Sequence, residues 1–262
     1  MLGNLKEAAA RLATASQRCG VSFMTIVESA RLSHSGVKGI QSGLYKLPSA
    51  RLPDGLPLTP EARQLVESRL PDLRLHSMLK SHGAASLVFA HAVLDDLATE
   101  CCQIISIADP DAWRDSVINR QVKLADLEGS SFEESYSRLL GEYMNRIGFS
   151  EPLAKRIDLI HSKCPPQDPK PLFPSVVDET SEQFTYEPAK VQALDRMRQD
   201  ILHRVKVDTP DTVLDDVAYL ERTCYYLMWL VGNKYRMLTK IESGATGDPP
   251  LFVPVSRSDS TR

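Results

Sequence analysis

Apolar residues recur at three- and four-residue intervals along most of this 262-residue chain, which is the spacing of one face of an α-helix. No stretch of four to eight residues shows the clean alternation of a half-buried strand between turn signals. The pattern therefore predicts an all-α protein. With 42% hydrophobic and 6% aromatic residues, the chain has the composition of an ordinary globular protein and is not expected to be disordered.

Start and stop signals divide this pattern into separate helices. A capping box at Ser131 and Glu134 marks one start, and the pair Asp109 and Pro110 marks another. Gly148 is expected to end the helix that follows the capping box. The predicted helices span about residues 4–19, 22–31, 34–42, 71–107, 131–147, 150–164, 187–206 and 211–241.

Prolines cluster between these helices and predict irregular chain there. Residues 165–188 contain six prolines and are predicted to form a long loop. The predicted division of the chain is a small helical module over residues 1–46, a proline-rich linker over 47–70, a helical domain over 71–243 and a mobile tail over 244–262.

The net charge of −3 is unevenly distributed along the chain. Residues 1–80 hold 11 Lys and Arg against 6 Asp and Glu, a net of +5, whereas residues 81–262 hold 20 against 28, a net of −8. A basic N-terminal third on an acidic body is one signature of an attached nucleic-acid-binding module, although scattered surface lysines and arginines give the same sum.

Neither a membrane anchor nor a secretory signal is visible in the sequence. The apolar run from Tyr225 to Val231 is too short to span a bilayer, and charged residues interrupt the N-terminus before an apolar stretch develops. The five cysteines have no metal-ligand spacing, and an odd number argues against a disulfide scaffold. We expect a cytoplasmic protein with reduced thiols, no metal, no cofactor and no membrane partner.

The common enzyme motifs GxxxxGK[ST], GxGxxG, HExxH and GxSxG are all absent. The six histidines carry the remaining chemical signal, and two of them lie five residues after an arginine. These two RxxxxH copies are Arg156 to His161 and Arg198 to His203. For the first copy we expect a structural role. The second lies on a predicted helix between a long polar loop and a long apolar helix.

The segment Met197-Arg-Gln-Asp-Ile-Leu-His203, the earlier helix from Phe89 to Glu100 and the long closing helix resemble the HEPN family of small α-helical domains. The resemblance covers about residues 75–242. Gln199 departs from the family, which commonly has Asn, His or Asp after the arginine. The resemblance implies a HEPN-like helical bundle and a metal-independent endoribonuclease of toxin or phage-defence type. It also implies a homodimer whose two motifs face one cleft, with an antitoxin or neighbouring-gene product as a possible partner.

The residue types in the second motif suit RNA cleavage. His203 would exchange a proton with the attacking 2′-hydroxyl, and Arg198 would hold the phosphate. Asp200 would orient the imidazole, and Arg196 and Arg204 would attract the RNA backbone. Positions five apart on a straight helix differ by about 140° in direction, which favours a site shared between two protomers.

A purely structural role is the alternative for these residues. In that case Arg198 forms a surface ion pair with Asp195 or Asp200, and His203 packs near the core. His91 could line the same cleft from the facing helix, with a contact inside its own helix as the alternative.

Residues 20–43, which open with Gly20-Val-Ser and contain a Leu-Ser turn at 32–33, resemble the helix-turn-helix of phage-repressor-type DNA-binding domains. The resemblance covers about residues 5–45 and implies that His34, Ser35 and Lys38 face the major groove of DNA. A plain helical hairpin packed on the main domain is the alternative.

Two further classes of function remain open at this point. One is a non-catalytic HEPN-like domain that binds a nucleotide or a partner protein. The other is a DNA-binding transcriptional regulator with a helical dimerisation domain.

Overall fold

The computed structural model describes residues 3–41, 59–118, 131–167, 172–204, 213–237, 241–242 and 251–252. Side chains are described within these ranges except at residues 33–41, 62–63, 65–78, 204, 241–242 and 251–252. The described residues form seven α-helices and two small antiparallel sheets, so the prediction of an all-α protein is confirmed. None of the described helices combines the length and the apolar character needed to cross a bilayer.

The bounds of the elements follow in chain order. The helices are α1 Leu5–Gln41, α2 Pro60–Ala108, α3 Arg114–Ile118, α4 Phe132–Ser150, α5 Leu153–Lys163, α6 Pro188–Arg204 and α7 Val213–Lys234. A short 3-10 helix, Pro110–Trp113, precedes α3 and is capped by Asp109 as predicted. The strands are β1 Leu172–Pro174 paired with β2 Ser181–Gln183, and β3 Ile241–Glu242 paired with β4 Leu251–Phe252.

The helix α7 is the centre of the fold, because every side chain from Val217 to Gly232 is buried. Its neighbours are α1, α2, α5 and β1. A helix that is apolar on nearly all sides needs neighbours on all sides, and these elements provide them. The longest apolar pattern in the second half of the sequence is therefore the axis around which the other helices pack.

The helix α1 packs on α2 and α7 along a stripe of buried residues at helical spacing. The stripe consists of Ala8, Leu12, Ala15, Cys19, Phe23 and Ile26. The three short helices predicted over residues 4–42 are wrong, because α1 is continuous across both predicted breaks. A glycine inside a helix costs about 1 kcal/mol, whereas burial of one Leu or Phe contributes about 1.5–3 kcal/mol. Packing of the stripe therefore outweighs the glycine signal at Gly20.

The structure bears only partly on the predicted N-terminal module. The side chains of His34, Ser35 and Lys38 lie outside the described ones, so their contact with DNA stays a prediction. The helix α2 begins at Pro60, inside the segment predicted as a linker, and the buried stripe of α1 belongs to the common core. The domain bounds themselves stay a prediction, since residues 42–58 are outside the described ranges.

The capping box predicted at the start of α4 is present. Glu134 N donates to Ser131 Oγ at 3.2 Å, and Ser131 N donates to Glu134 Oε2 at 2.9 Å. Gly148 does not end α4, which continues to Ser150. A Cβ atom at Gly148 would lie 3.0 Å from Thr99 Cγ2, so this glycine allows α4 to approach α2 closely.

Residues 165–188 are not wholly a loop, because β1 and β2 form a hairpin there. The fully buried Glu221 on α7 holds the turn of this hairpin. Its carboxylate accepts hydrogen bonds from Val176 N at 3.0 Å, Val177 N at 3.4 Å and the Tyr225 hydroxyl at 3.3 Å. The neighbouring Arg222 forms ion pairs on the same hairpin. The periodicity of α7 gave no indication of these two polar anchors.

Gly3 supplies a first test of the packing of α1. A Cβ atom at this position would lie 1.8 Å from the backbone oxygen of Ala108, and Asn4 N donates to Ile107 O at 2.8 Å beside it. We expect Gly3→Ala to lower the free energy of unfolding by about 1–3 kcal/mol, because the chain must move and this hydrogen bond is lost. Chemical denaturation measures the change.

Gly141 on α4 is the matched control, since a Cβ atom there would meet nothing within 4 Å. Gly141→Ala should raise the free energy of unfolding by about 1 kcal/mol through helix propensity alone. Equal effects of the two substitutions would contradict the close contact at Gly3.

Glu221 supplies a second test, through pH. Burial raises the pKa of this carboxyl, while its hydrogen bonds oppose the shift. Folding therefore favours the protonated form: the stabilising contribution is complete below the ordinary pKa of about 4.3 and is lost as the pH rises through the folded-state pKa. We expect the unfolding free energy of Glu221→Gln to fall less than that of wild type as the pH is raised from about 5 to about 8.

The control for this titration is Glu142→Gln, a change at an exposed carboxylate on α4. It should keep the pH dependence of the wild-type protein. A Glu221→Gln variant with an unchanged pH profile would show that Glu221 does not titrate with folding.

Candidate functional site

A polar cleft of about 510 Å³ lies between α2, α4 and α6. The residues that matter for its chemistry are His91, Asp95 and Thr99 of α2, Asn145 and Phe149 of α4, and Arg198 of α6. The walls are helices whose opposite faces belong to the core, so these side chains are held on rigid elements. One of the two RxxxxH arginines therefore faces a cleft large enough for a small ligand.

Asp195 joins α6 to α2 at one end of the cleft. Its Oδ1 atom accepts hydrogen bonds from Arg198 Nε at 3.1 Å and Nη2 at 2.9 Å. His91 Nε2 lies 3.2 Å from the same oxygen, but without the alignment of a hydrogen bond. Gln199 Nε2 donates to the other carboxylate oxygen at 3.3 Å. The residue that departs from the HEPN pattern thus helps to hold Asp195.

His91 is 2% exposed, and its surroundings set its protonation state. Burial lowers the pKa of His91, and the positive charges of Arg198 and Arg156 lower it further. The carboxylates of Asp195 and Asp95 oppose this, but the pKa remains below its usual value. The imidazole is consequently neutral at pH 7 and has one nitrogen that can accept a proton or a hydrogen bond.

The first RxxxxH copy is part of the packing beneath the cleft. Arg156 on α5 is 4% exposed and donates to the Asp95 carboxylate, to the Asp95 backbone oxygen at 3.2 Å and to Thr99 Oγ1. His161 packs edge-on against Tyr186, with 4.8 Å between ring centroids. Arg156 couples α5 to α2 and is not accessible to a ligand, whereas His161 is half-buried.

The second copy is arranged differently. The Arg198 side chain is 29% exposed and lines the cleft, whereas His203 is exposed near the end of α6 and does not line the cleft. The ion pair between Arg198 and Asp195 that a structural role would require is present. The burial of His203 that the same role would require is not.

The other residues predicted for this site lie on the same helix. Asp200 is half-buried, and Arg196 is exposed. The side chain of Arg204 lies outside the described ones, so its predicted contact with nucleic acid stays a prediction.

Asn145 and Phe149 are among the cleft residues that were not predicted from the sequence. Phe149 is 92% exposed, although it follows the buried stripe that contains Leu140, Met144 and Ile147. Its position relative to that stripe is the one available signal. Two residues after Ile147, a side chain on an ideal helix has turned by about 200° and faces away from the core.

The cysteines take no part in this site. All five are buried and free, as expected from their spacing. Burial raises the pKa of Cys102 and of Cys164 to about 12, so these thiols are not ionised at neutral pH. Over the described part of the chain, no three His, Cys, Asp or Glu side chains converge in a way that could hold a metal ion.

Comparisons of the chain with protein-family models, with curated proteins and with solved structures find no match.

The two RxxxxH arginines can be distinguished by their effects on stability. We expect Arg156→Met to lower the free energy of unfolding by about 2–3 kcal/mol, because it removes a buried cation from hydrogen-bonded partners. Arg198→Met removes a partly exposed pair between residues three apart on one helix, and should cost less than about 1 kcal/mol. Chemical denaturation of both variants measures the difference. Similar losses of unfolding free energy in the two variants would argue that Arg198 has a structural role as large as that of Arg156.

Proposed function

We propose that this protein is a metal-independent endoribonuclease with a HEPN-like helical bundle, and that it acts as a homodimer through Arg198 and His203. The observation that carries the proposal is the exposure of His203 on the helix whose Arg198 lines a polar cleft. Neither side chain is buried in the core, in contrast to Arg156 with the same spacing. The proposed setting is the cytoplasm, in a toxin or phage-defence role, with an antitoxin or neighbouring-gene product as a possible partner.

The proposed reaction is an internal phosphoryl transfer. The 2′-oxygen of RNA attacks the adjacent phosphorus, a new P–O2′ bond forms, and the P–O5′ bond breaks. One group must take the proton of the 2′-hydroxyl, and another must give a proton to the departing 5′-oxygen. In a homodimer, the two His203 side chains supply one base and one acid. The products are a 2′,3′-cyclic phosphate end and a 5′-hydroxyl end.

Arg198 stabilises the charge on the phosphate in this scheme. Its bonds to Asp195 use Nε and Nη2, so Nη1 takes part in neither of them and can donate to a phosphate oxygen. Asp195 thereby orients the guanidinium group instead of occupying it completely. A planar, permanently charged group in a fixed orientation suits a transition state whose charge is spread over phosphate oxygens.

The net charge of the chain implies that RNA binds at a local basic patch. The protein as a whole is acidic, with a net charge of −3, so RNA is not attracted by a generally positive surface. The exposed Arg196 lies on α6 close in sequence to Arg198. RNA bound at such a local basic site makes few phosphate contacts. Its affinity should therefore fall only moderately as the salt concentration rises.

The proposal is tested by incubating the purified protein with single-stranded RNA in EDTA and identifying the product ends. We expect cleavage with 2′,3′-cyclic phosphate ends. Loss of the general acid and base in His203→Gln should slow the reaction by about 100- to 10,000-fold. Arg198→Met should also lower the rate while the fold is retained. The matched control is His161→Gln in the other RxxxxH copy, which should cut RNA at the wild-type rate once its folding has been verified by circular dichroism.

The dimeric arrangement has its own readout. When wild-type protein is co-purified with His203→Gln in equal amounts, a site shared by two protomers loses activity in the mixed dimers. The remaining activity should then fall below the half expected of independent protomers. Activity of one half, or a protein that is monomeric by light scattering while it cleaves, would argue against the shared site. Wild-type rates in His203→Gln and in Arg198→Met would overturn the ribonuclease proposal.

A second candidate is a non-catalytic domain that binds a nucleotide, because the ion pair with Asp195 is also compatible with a positioning role for Arg198. It predicts binding without cleavage in the same assay. A DNA-binding regulator is less well supported, because α1 is continuous at the predicted turn.

A further inference from the structure

We propose that the cleft between α2, α4 and α6 binds one nucleoside phosphate unit of single-stranded RNA, with its base stacked on Phe149 and its phosphate on Arg198. The inference deepens the proposed function, on which it rests for the identity of the polymer. The added feature is a base subsite beside the reacting phosphate on Arg198, in which Phe149 selects unpaired bases.

Phe149 has the properties of a stacking platform. It is the most exposed of the large apolar side chains among the described residues, at 92%, and it lines the edge of the cleft. No described aromatic ring or cation covers it, whereas Phe132 on the same helix stacks on Tyr136 and lies under Arg114. Proteins that bind single-stranded nucleic acid present exposed aromatic rings of this kind to unpaired bases.

The opposite end of the cleft offers a donor for a phosphate. Arg198 Nη1 is outside the two bonds to Asp195. His91 also lines the cleft, and its Nε2 atom lies 3.2 Å from the Asp195 oxygen that accepts from Arg198. Asp195 therefore holds the Arg198 guanidinium group beside the cleft with one nitrogen left for a ligand.

The space and the polar groups between these ends suit the rest of the nucleotide. A volume of about 510 Å³ falls in the usual range for small-molecule sites. Arg156 holds Asp95 by its Oδ1 atom, which leaves Oδ2 to accept from a ribose hydroxyl. Asn145 provides an amide that can both donate to and accept from a base edge.

The charges of the cleft argue against a simple anion site. Arg198 is accompanied by Asp195, Asp95 and Asp96, so a small phosphate alone meets more negative than positive charge. A nucleotide gains the contacts of its base and ribose in addition. Inorganic phosphate should therefore compete weakly, and an unpaired nucleotide should bind through its base.

The experiment uses the full chain with His203→Gln, so that RNA is not cut during the measurement. Binding of a fluorescent single-stranded RNA oligomer is followed by anisotropy, with and without Phe149→Ala. Loss of one base stack should weaken binding by about 5- to 150-fold. Phe149→Trp should retain binding, and Phe149→Leu should weaken it although it keeps an apolar side chain. Because Phe149 is exposed, its substitution should leave folding unchanged, and thermal unfolding of each variant verifies that.

Phe132→Ala is the matched control, because it removes an aromatic ring from the outer face of the same helix away from the cleft. It should bind RNA as tightly as its parent. Equal affinity of Phe149→Ala and its parent, or equal losses with Phe132→Ala, would overturn the proposed subsite. Equal affinity for a duplex of the same sequence would also overturn it, since paired bases cannot stack on Phe149.

Calorimetry with free adenosine monophosphate distinguishes a free nucleotide from a nucleotide unit of RNA as the ligand of the cleft. Binding that depends on Phe149 with the mononucleotide alone supports the site with a free nucleotide as ligand, and binding only with the oligomer supports it with RNA. The ribonuclease proposal can fail separately. If wild-type protein binds RNA through Phe149 without cleaving it, the proposed subsite is supported and the proposed reaction is wrong. If Phe149→Ala cleaves RNA at the wild-type rate with an unchanged KM, the proposed reaction is supported and the proposed subsite is wrong.

Discussion

Burial of α7 from Val217 to Gly232 is the constraint on which the rest of the structure depends. This segment cannot remain in contact with water on any broad face, so other helices must surround it. The helices α1, α2 and α5 do so, and the β1–β2 hairpin lies against the same helix. Because Glu221 and Arg222 are polar residues inside this buried helix, the hairpin that satisfies them becomes part of the core instead of a free loop.

The helices could be predicted from the sequence because each stripe of apolar residues has one inner face. The breaks between them could not be predicted equally well. A helix end was predicted after residue 19 and another at Gly148, yet both positions lie inside continuous helices. A local signal of about 1 kcal/mol is smaller than the free energy gained by burying the adjacent stripe, and the size of that gain depends on partners distant in sequence. The partner of Gly148 is Thr99, on another helix.

The candidate site was predictable to a similar extent. The RxxxxH spacing drew attention to Arg198, which lines the cleft, and to His203, which does not, and the facing helix suggested His91 for the same cleft as Arg198. The difference between the two motif copies arises from tertiary contacts, since Arg156 is buried by Asp95, 61 positions earlier in the chain. Phe149 was not predicted because an isolated phenylalanine is usually a core residue, and its position two residues after Ile147 was the one sequence signal that it faces outward.

The close approach at Gly148 also has a consequence for how this protein can vary. The two long walls of the cleft come closest where Gly148, which has no side chain, faces the methyl group of Thr99. Side chains such as Asn145 and Phe149 can therefore change while the width of the cleft remains the same. Substitutions among them would alter which ligand is preferred, whereas a larger residue at Gly148 would alter whether any ligand fits.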